Sequence, residues 1–166
     1  ELPTTMEELL ELARDFATKD PDGNGEKDTF GLPLDKDINT SLINTLEIVA
    51  NSYGYYPSRV VRKGGEVILG SMEAGMKDII KIFRDFYAEG VIDPEFASKN
   101  FMQVDEDVGA GKYGLWLGVF WKPVDPGFAA TYKDGVEWLT APIPKSTTVE
   151  KFAPYVSFPA NAYYGM

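Results

Sequence analysis

Apolar residues recur at helical spacing in three stretches of the chain and bunch into short runs between them. Over residues 5–18, Met6, Leu9, Leu10, Ala13, Phe16 and Ala17 fall on one face, which predicts an amphipathic helix. Thr4 stands where it can cap that helix, with Glu7 three residues on to complete a capping box. Asp20-Pro21 ends it, because a residue before proline is disfavoured in helical geometry. A second helix is predicted over residues 40–53, with Leu42, Ile43, Leu46, Val49 and Ala50 as its apolar face and Gly54 as its stop. Residues 59–69 read as a hairpin: Val60-Val61, a Gly64-Gly65 turn, then Val67-Ile68-Leu69. The third helix, over residues 72–89, has Ser71 as its cap and Gly90 as its end. Met76, Ile79, Ile80, Phe83, Phe86 and Tyr87 line one side of it.

The pattern is shorter-ranged beyond this point. Asp93-Pro94-Glu95 starts a helical turn, and a short helix over residues 101–108 runs into the glycines at 109–111. Residues 113–117 form a compact apolar run and predict a buried strand. Residues 136–140 predict another, closed by Pro142 and Pro144. Residues 123–127 are rich in turn formers, a weak helical pattern covers 128–132, and the aromatic tail carries no clear periodicity. Helices alternating with short strands indicate an α/β fold, with helices packed on a small mixed sheet.

Composition narrows the function classes. The chain has 166 residues, enough for a single domain with a hydrophobic core. No run approaches the roughly 18 apolar residues that span a bilayer. Glu1-Leu2-Pro3 leads straight into a helix entry, unlike the start of a mature bacterial protein, so the sequence reads as a piece of something longer. The net charge of -10, with no basic run to offset it, speaks against nucleic acid and against an anionic membrane surface. With no cysteine there is no disulfide framework and no thiolate chemistry. With no histidine, the commonest general base and a His-dependent triad are excluded within these residues.

The most specific segment is Asp20-Pro21-Asp22-Gly23-Asn24-Gly25-Glu26-Lys27-Asp28. Calcium is a hard cation that takes six to eight oxygens, and side chains at alternate positions of a tight loop converge on one point. Asp20, Asp22 and Asn24 occupy positions 1, 3 and 5, and Gly25 sits at position 6, where the backbone must turn sharply. Glu26 at position 7 supplies its backbone carbonyl, and Asp28 holds position 9. The bidentate glutamate of a full EF-hand belongs at position 12, which is Gly31, and there is no second loop to pair with. A structural calcium staple is therefore expected rather than a sensor, with a metal-free acidic turn as the plainer alternative.

Aromatic residues make up 13% of the chain, enough to ask which of them face a ligand. Indole and phenol faces stack on the C–H face of a sugar ring in concave sites with a few polar anchors. Trp121, just past the predicted strand and before Lys122-Pro123, is the leading candidate for a ligand contact. Tyr55 and Tyr56, ahead of Pro57, are further candidates that can equally serve to pack a turn. Trp116 and Trp138 read as core and strand residues. Asp105-Glu106-Asp107 reads as a solvated helix face, Glu7-Glu8 as first-turn charge, and Asp93 and Glu95 as helix caps. No carboxylate pair stands out as an acid/base couple, so no catalytic residue is assigned.

Four stretches together resemble extracellular solute-binding protein family 1, especially its Gram-positive lipoprotein branch. They are Leu2-Pro3-Thr4-Thr5-Met6-Glu7-Glu8-Leu9, the acidic loop followed by Thr29-Phe30-Gly31-Leu32, Tyr87-Ala88-Glu89-Gly90-Val91-Ile92-Asp93-Pro94-Glu95-Phe96, and Gly111-Lys112-Tyr113-Gly114-Leu115. The resemblance implies one lobe of a type II periplasmic-binding-protein fold, with residues 1–166 as the inserted, second lobe and the hinge near both ends. It implies binding of an oligosaccharide and its delivery to the permease subunits of an ABC importer. It also implies a parent held at the outer cell surface by a lipid anchor. In alginate-binding members a similar loop holds calcium, which supports Asp20, Asp22, Asn24, Glu26 through its carbonyl, and Asp28 as ligands. Those members carry a glutamate directly after the last aspartate, where this chain has Thr29. The competing readings are a fragment of a calcium-stapled glycoside hydrolase and a calcium-dependent interaction module.

Overall fold

The computed structural model describes residues 2–21, 23–38, 43–119, 121–125 and 138–150. The expected helix over 128–132, residues 136 and 137 of the expected second strand, and nearly all of the aromatic tail lie outside them.

Helix α1 spans Met6–Thr18 and buries Met6, Leu9, Leu10 and Ala13. Its capping box is one residue further on than the sequence suggests. Thr5 Oγ1 accepts from Glu8 N at 3.2 Å, and Glu8 Oε2 accepts from Thr5 N at 3.3 Å. Glu7 is engaged elsewhere: its carboxylate accepts from Ser146 Oγ at 2.5 Å and from Thr147 N at 3.1 Å. A partner 139 residues away decides which glutamate caps the helix, and no local rule reports it.

Helix α2 covers Thr45–Ser52, shorter than the expected 40–53. Residues 39–42 lie outside the described chain, and Ile43 is extended, bridged antiparallel to Gly118. Thr45 Oγ1 donates to Pro33 O at 2.6 Å and fixes the helix entry. Strands β1, Val60–Lys63, and β2, Glu66–Leu69, form the expected hairpin. Gly64 and Gly65 turn it at φ 59° and 88°, the left-handed geometry that two-residue hairpin turns favour.

Helix α3 runs from Met76 to Glu89 rather than from residue 72. Gly70–Met72 is a separate 3-10 turn, so Ser71 does not cap α3; Gly75 occupies the N-cap. A Cβ on Gly75 would lie 1.9 Å from Tyr55 Oη, so that ring sits directly on the helix start. Gly90 closes α3 in the left-handed conformation, as expected. The apolar face is narrower than the periodicity implies. Met76, Ile79, Phe83 and Phe86 are buried, whereas Ile80 and Tyr87 are about half exposed. Those two help to rim an open apolar groove with Leu34, Ile38 and Phe96. Helix α4, Phe101–Gly109, is capped by a box between Asn100 and Gln103.

Residues 113–117 do not form a continuous strand. Tyr113 makes a single parallel bridge to Phe30, Leu32 bridges Ile92 in parallel, and Gly118 meets Ile43 antiparallel. The helices pack on these mixed, extended segments, while the hairpin stands clear of the core. The main core gathers α1, α2 and α3 around Leu32, Leu34, Val91, Ile92 and Leu117. A smaller one joins Ile43, Val104, Val108 and Tyr113, with Trp116 and Trp138 packed against it. No helix among the described residues is long and apolar enough to cross a membrane.

Candidate functional site

The acidic loop leaves α1 through Asp20, a non-glycine residue at φ 47°. The chain curls around its carboxylate: Oδ1 accepts from Asn24 N at 3.1 Å and Oδ2 from Gly25 N at 2.9 Å. Asn24 Oδ1 accepts from Glu26 N at 2.6 Å, and Asn24 Nδ2 donates to Asp28 Oδ1 at 3.3 Å. Gly23 and Gly25 hold the left-handed turns that this path requires, at φ 67° and 82°. Asp20, Asn24 and Asp28 are thus brought together, while the side chain of Glu26 is exposed and Asp22 lies outside the described residues. Thr29, after the last aspartate, is buried. Oxygen donors in such a loop fit a hard cation. Among the described residues, no three carboxylates are close enough to share one.

Of the acidic run on α4, Glu106 is exposed as expected, but Asp105 and Asp107 are not part of a solvated face. Asp105 is buried, its Oδ2 2.5 Å from Lys122 Nζ, and its Oδ1 has no hydrogen-bond partner among the described residues. Burial raises the Asp105 pKa above its ordinary value despite the pull of Lys122. Asp107 is held by two cations, Lys99 at 2.7 Å and Lys112 at 2.6 Å. Lys99 also reaches Asp93 Oδ2 at 2.6 Å, to which Tyr113 Oη donates at 3.3 Å. Burial, then the charges of Asp93 and Asp107, push the Tyr113 phenol well up. Asp93 keeps its expected local role as well, since its Oδ1 accepts from Glu95 N at 2.8 Å. This network ties the end of α3 and helix α4 to the segment that follows Tyr113.

That segment forms one wall of a cavity of about 520 Å³. Trp116, Trp138, Phe16 and Thr140 line it with aliphatic neighbours, and Leu2, Pro3 and residues 139–143 complete the lining. Gly114 is required here, because a Cβ would fall 2.0 Å from Phe16 Cγ. The two crossing segments are fixed side by side. Met6 N donates to Lys145 O at 3.0 Å, and Ser146 N to Ser52 O at 2.9 Å. Burial raises the Glu7 pKa, but hydrogen bonds, from Ser146 foremost, outweigh that and leave it below its ordinary value. Burial and the charge of Glu7 push the neighbouring Tyr53 phenol up to about 12.

The aromatic candidates from the sequence lie elsewhere. Trp121 is 39% exposed and stands at the head of the 3-10 turn Lys122–Val124. Tyr55 and Tyr56 are half-buried, and the Lys63 ammonium lies 5.4 Å from the Tyr55 ring centre. None of the three lines the 520 Å³ cavity. Trp116 and Trp138 do, and the glycines at 114 and 118, two residues to either side of Trp116, were the available signal.

No protein-family profile matches the chain. Among curated proteins of Bacillus subtilis (strain 168), Lipoprotein LipO is 28% identical over 115 residues, covering 69% of this chain and 23% of LipO. The Polygalacturonan/rhamnogalacturonan-binding protein YtcQ is 29% identical over 116 residues, covering 70% of this chain and 22% of YtcQ. The crystal structure of an extracellular solute-binding protein from Bifidobacterium longum subsp. infantis superposes with a TM-score of 0.66 at 25% identity, over 90% of this chain and 31% of that one. An HMO binding ABC-transporter associated solute-binding protein from Bifidobacterium longum infantis ATCC 15697 gives 0.62 at 24% identity, with the same coverage. The chain is thus related to extracellular solute-binding proteins. It has the fold of one lobe of such a protein and spans about a quarter to a third of each relative's length.

Proposed function

We propose that this chain is the inserted, second lobe of a lipid-anchored extracellular solute-binding protein that captures an oligosaccharide and presents it to the permease subunits of an ABC importer. It binds and does not catalyse, in keeping with relatives named for binding. The observation that carries the reading is the indole-lined cavity, which opens where residues 2–3 and 139–143 run close together. With the hinge near both ends of residues 1–166, residues 2–3 bring one of those ends to the cavity, and closure of the cleft there traps the solute. Isothermal titration of the intact binding protein against an oligosaccharide panel tests it. Saturable binding with at least one member is expected, and no heat with any of them sinks the proposal.

Residues 20–28 serve, on the same reading, as a calcium staple built from Asp20, Asp22, Asn24, Asp28 and the Glu26 carbonyl. The hydrogen bonds around Asp20 and Asn24 support it, since they curl the loop so that the oxygens of Asp20, Asn24 and Asp28 lie on one turn. A ligand that binds only the folded state stabilises it by about 2.7 kcal/mol at one hundred times its Kd. Tm is therefore expected to climb with the logarithm of calcium concentration and to fall back in chelator. Superimposable melting curves in calcium and in chelator refute the staple, and calcium-dependent partner binding with unchanged Tm points to an interaction module instead.

A further inference from the structure

The side chains that line the cavity say which class of sugar it suits, an inference that rests on the carbohydrate-binding reading above. Among the described residues its lining comprises two indoles, one phenyl ring, aliphatic side chains and the hydroxyl of Thr140; none of these is ionisable. Among the described residues, Lys145 on the crossing segment directs its ammonium to Val149 O and Glu150 O, at 3.0 Å each. Lys122 is buried against Asp105. A carboxylate leaving water needs a cation or several N–H donors, and burying it without them carries a large penalty. The chain's net charge of -10 adds a long-range repulsion for any anionic ligand. The uncharged C–H face of a pyranose ring incurs neither penalty and gains by lying on indole.

We infer that the solute this lobe receives is a neutral saccharide, free of uronate and other anionic groups, lying against Trp116 and Trp138. This sets the chain apart from its relative YtcQ, whose name records a polyuronate. The test is isothermal titration of the intact binding protein with neutral oligosaccharides and with oligogalacturonates of matched length, at low and high ionic strength. Neutral sugars are expected to bind at least about tenfold more tightly, since like-charge juxtaposition is penalised. Their affinity is expected to be independent of salt, while any oligogalacturonate binding improves as salt screens the repulsion. Thr140 is exposed, so Thr140→Arg tests the place of binding without disturbing the core. It is expected to narrow the gap between the two sugar classes, and an unchanged gap overturns the assignment to this cavity. Oligogalacturonates bound as tightly as neutral sugars overturn the inference and leave the carbohydrate-binding function standing. No binding of either class overturns both.

Discussion

Lys99→Met is expected to destabilise the fold by about 3–5 kcal/mol, the cost of leaving a buried charge without its partner. The Lys99 side chain is 17% exposed and bridges Asp93, 4% exposed, and Asp107, 15% exposed. Asp107 retains Lys112 after the substitution, so the loss falls mainly on Asp93. Among the described residues, Asp93 then keeps only the Tyr113 hydroxyl and the Glu95 amide. Removing all the charges together is a different experiment, because a well-packed apolar replacement of a buried ion pair is often neutral. The pH dependence has two arms. Burial opposes ionisation of Asp107, but hydrogen bonds from Lys112 and Lys99 outweigh it and depress its pKa. Its contribution is therefore present above the unfolded pKa and lost as pH falls through the folded one. Burial likewise opposes the charge on Lys99, but hydrogen bonds from Asp107 and Asp93 outweigh it and raise its pKa. That contribution is present below the unfolded value and lost as pH rises through the folded one. Denaturant unfolding of both proteins across pH checks this. The gap between them is widest near neutrality and closes in acid, and a neutral-pH gap below about 1 kcal/mol, the range of an exposed pair, refutes a buried role for Lys99.

What was legible in the sequence follows from how far each interaction reaches along the chain. The hairpin with its glycine turn and the Gly90 stop of α3 depend on neighbours within a few residues, and both stand as expected. The start of α2 depends on Pro33 O and the choice of cap on Ser146, so local pattern misplaces both. Asp105 and Asp107 read as solvated because three adjacent acids usually are. Their cations come from Lys99, Lys112 and Lys122, which a charge count along one helix does not pair with them. The acidic loop was legible as a loop because its geometry is written in consecutive residues. The cavity was not, because its walls join residues 2–16 to residues 114–119 and 138–143. The two tryptophans that line it also pack on a core cluster, so burial reasoning alone treats them as filler.

Gly31→Ala is expected to be among the most damaging single-methyl additions in the chain, exceeding the about 1–3 kcal/mol of ordinary overpacking. A Cβ at this position would lie 2.1 Å from Ala13 O, 2.6 Å from Ala13 C and 2.7 Å from Val91 Cγ1. Two of those three atoms belong to the backbone of α1, so no rotamer change relieves the clash. Gly31 N also donates to Val91 O at 2.8 Å, which holds the residue against both neighbours. Gly23→Ala is the matched control. Nothing lies within 4 Å of its Cβ, and only the left-handed φ of 67° resists the change. That conformational penalty is about 1–2 kcal/mol. Denaturant midpoints for the two variants are expected to separate clearly, with Gly31→Ala the lower, and equal midpoints refute the close approach of α1. The same contact accounts for the acidic loop's departure from an EF-hand. Position 12 of the loop is Gly31, wedged between α1 and Val91, where a glutamate side chain has no room. On the proposed staple reading, a calcium ion at residues 20–28 completes its shell without that ligand, and Gly31→Glu is expected to unfold the lobe rather than tighten the site.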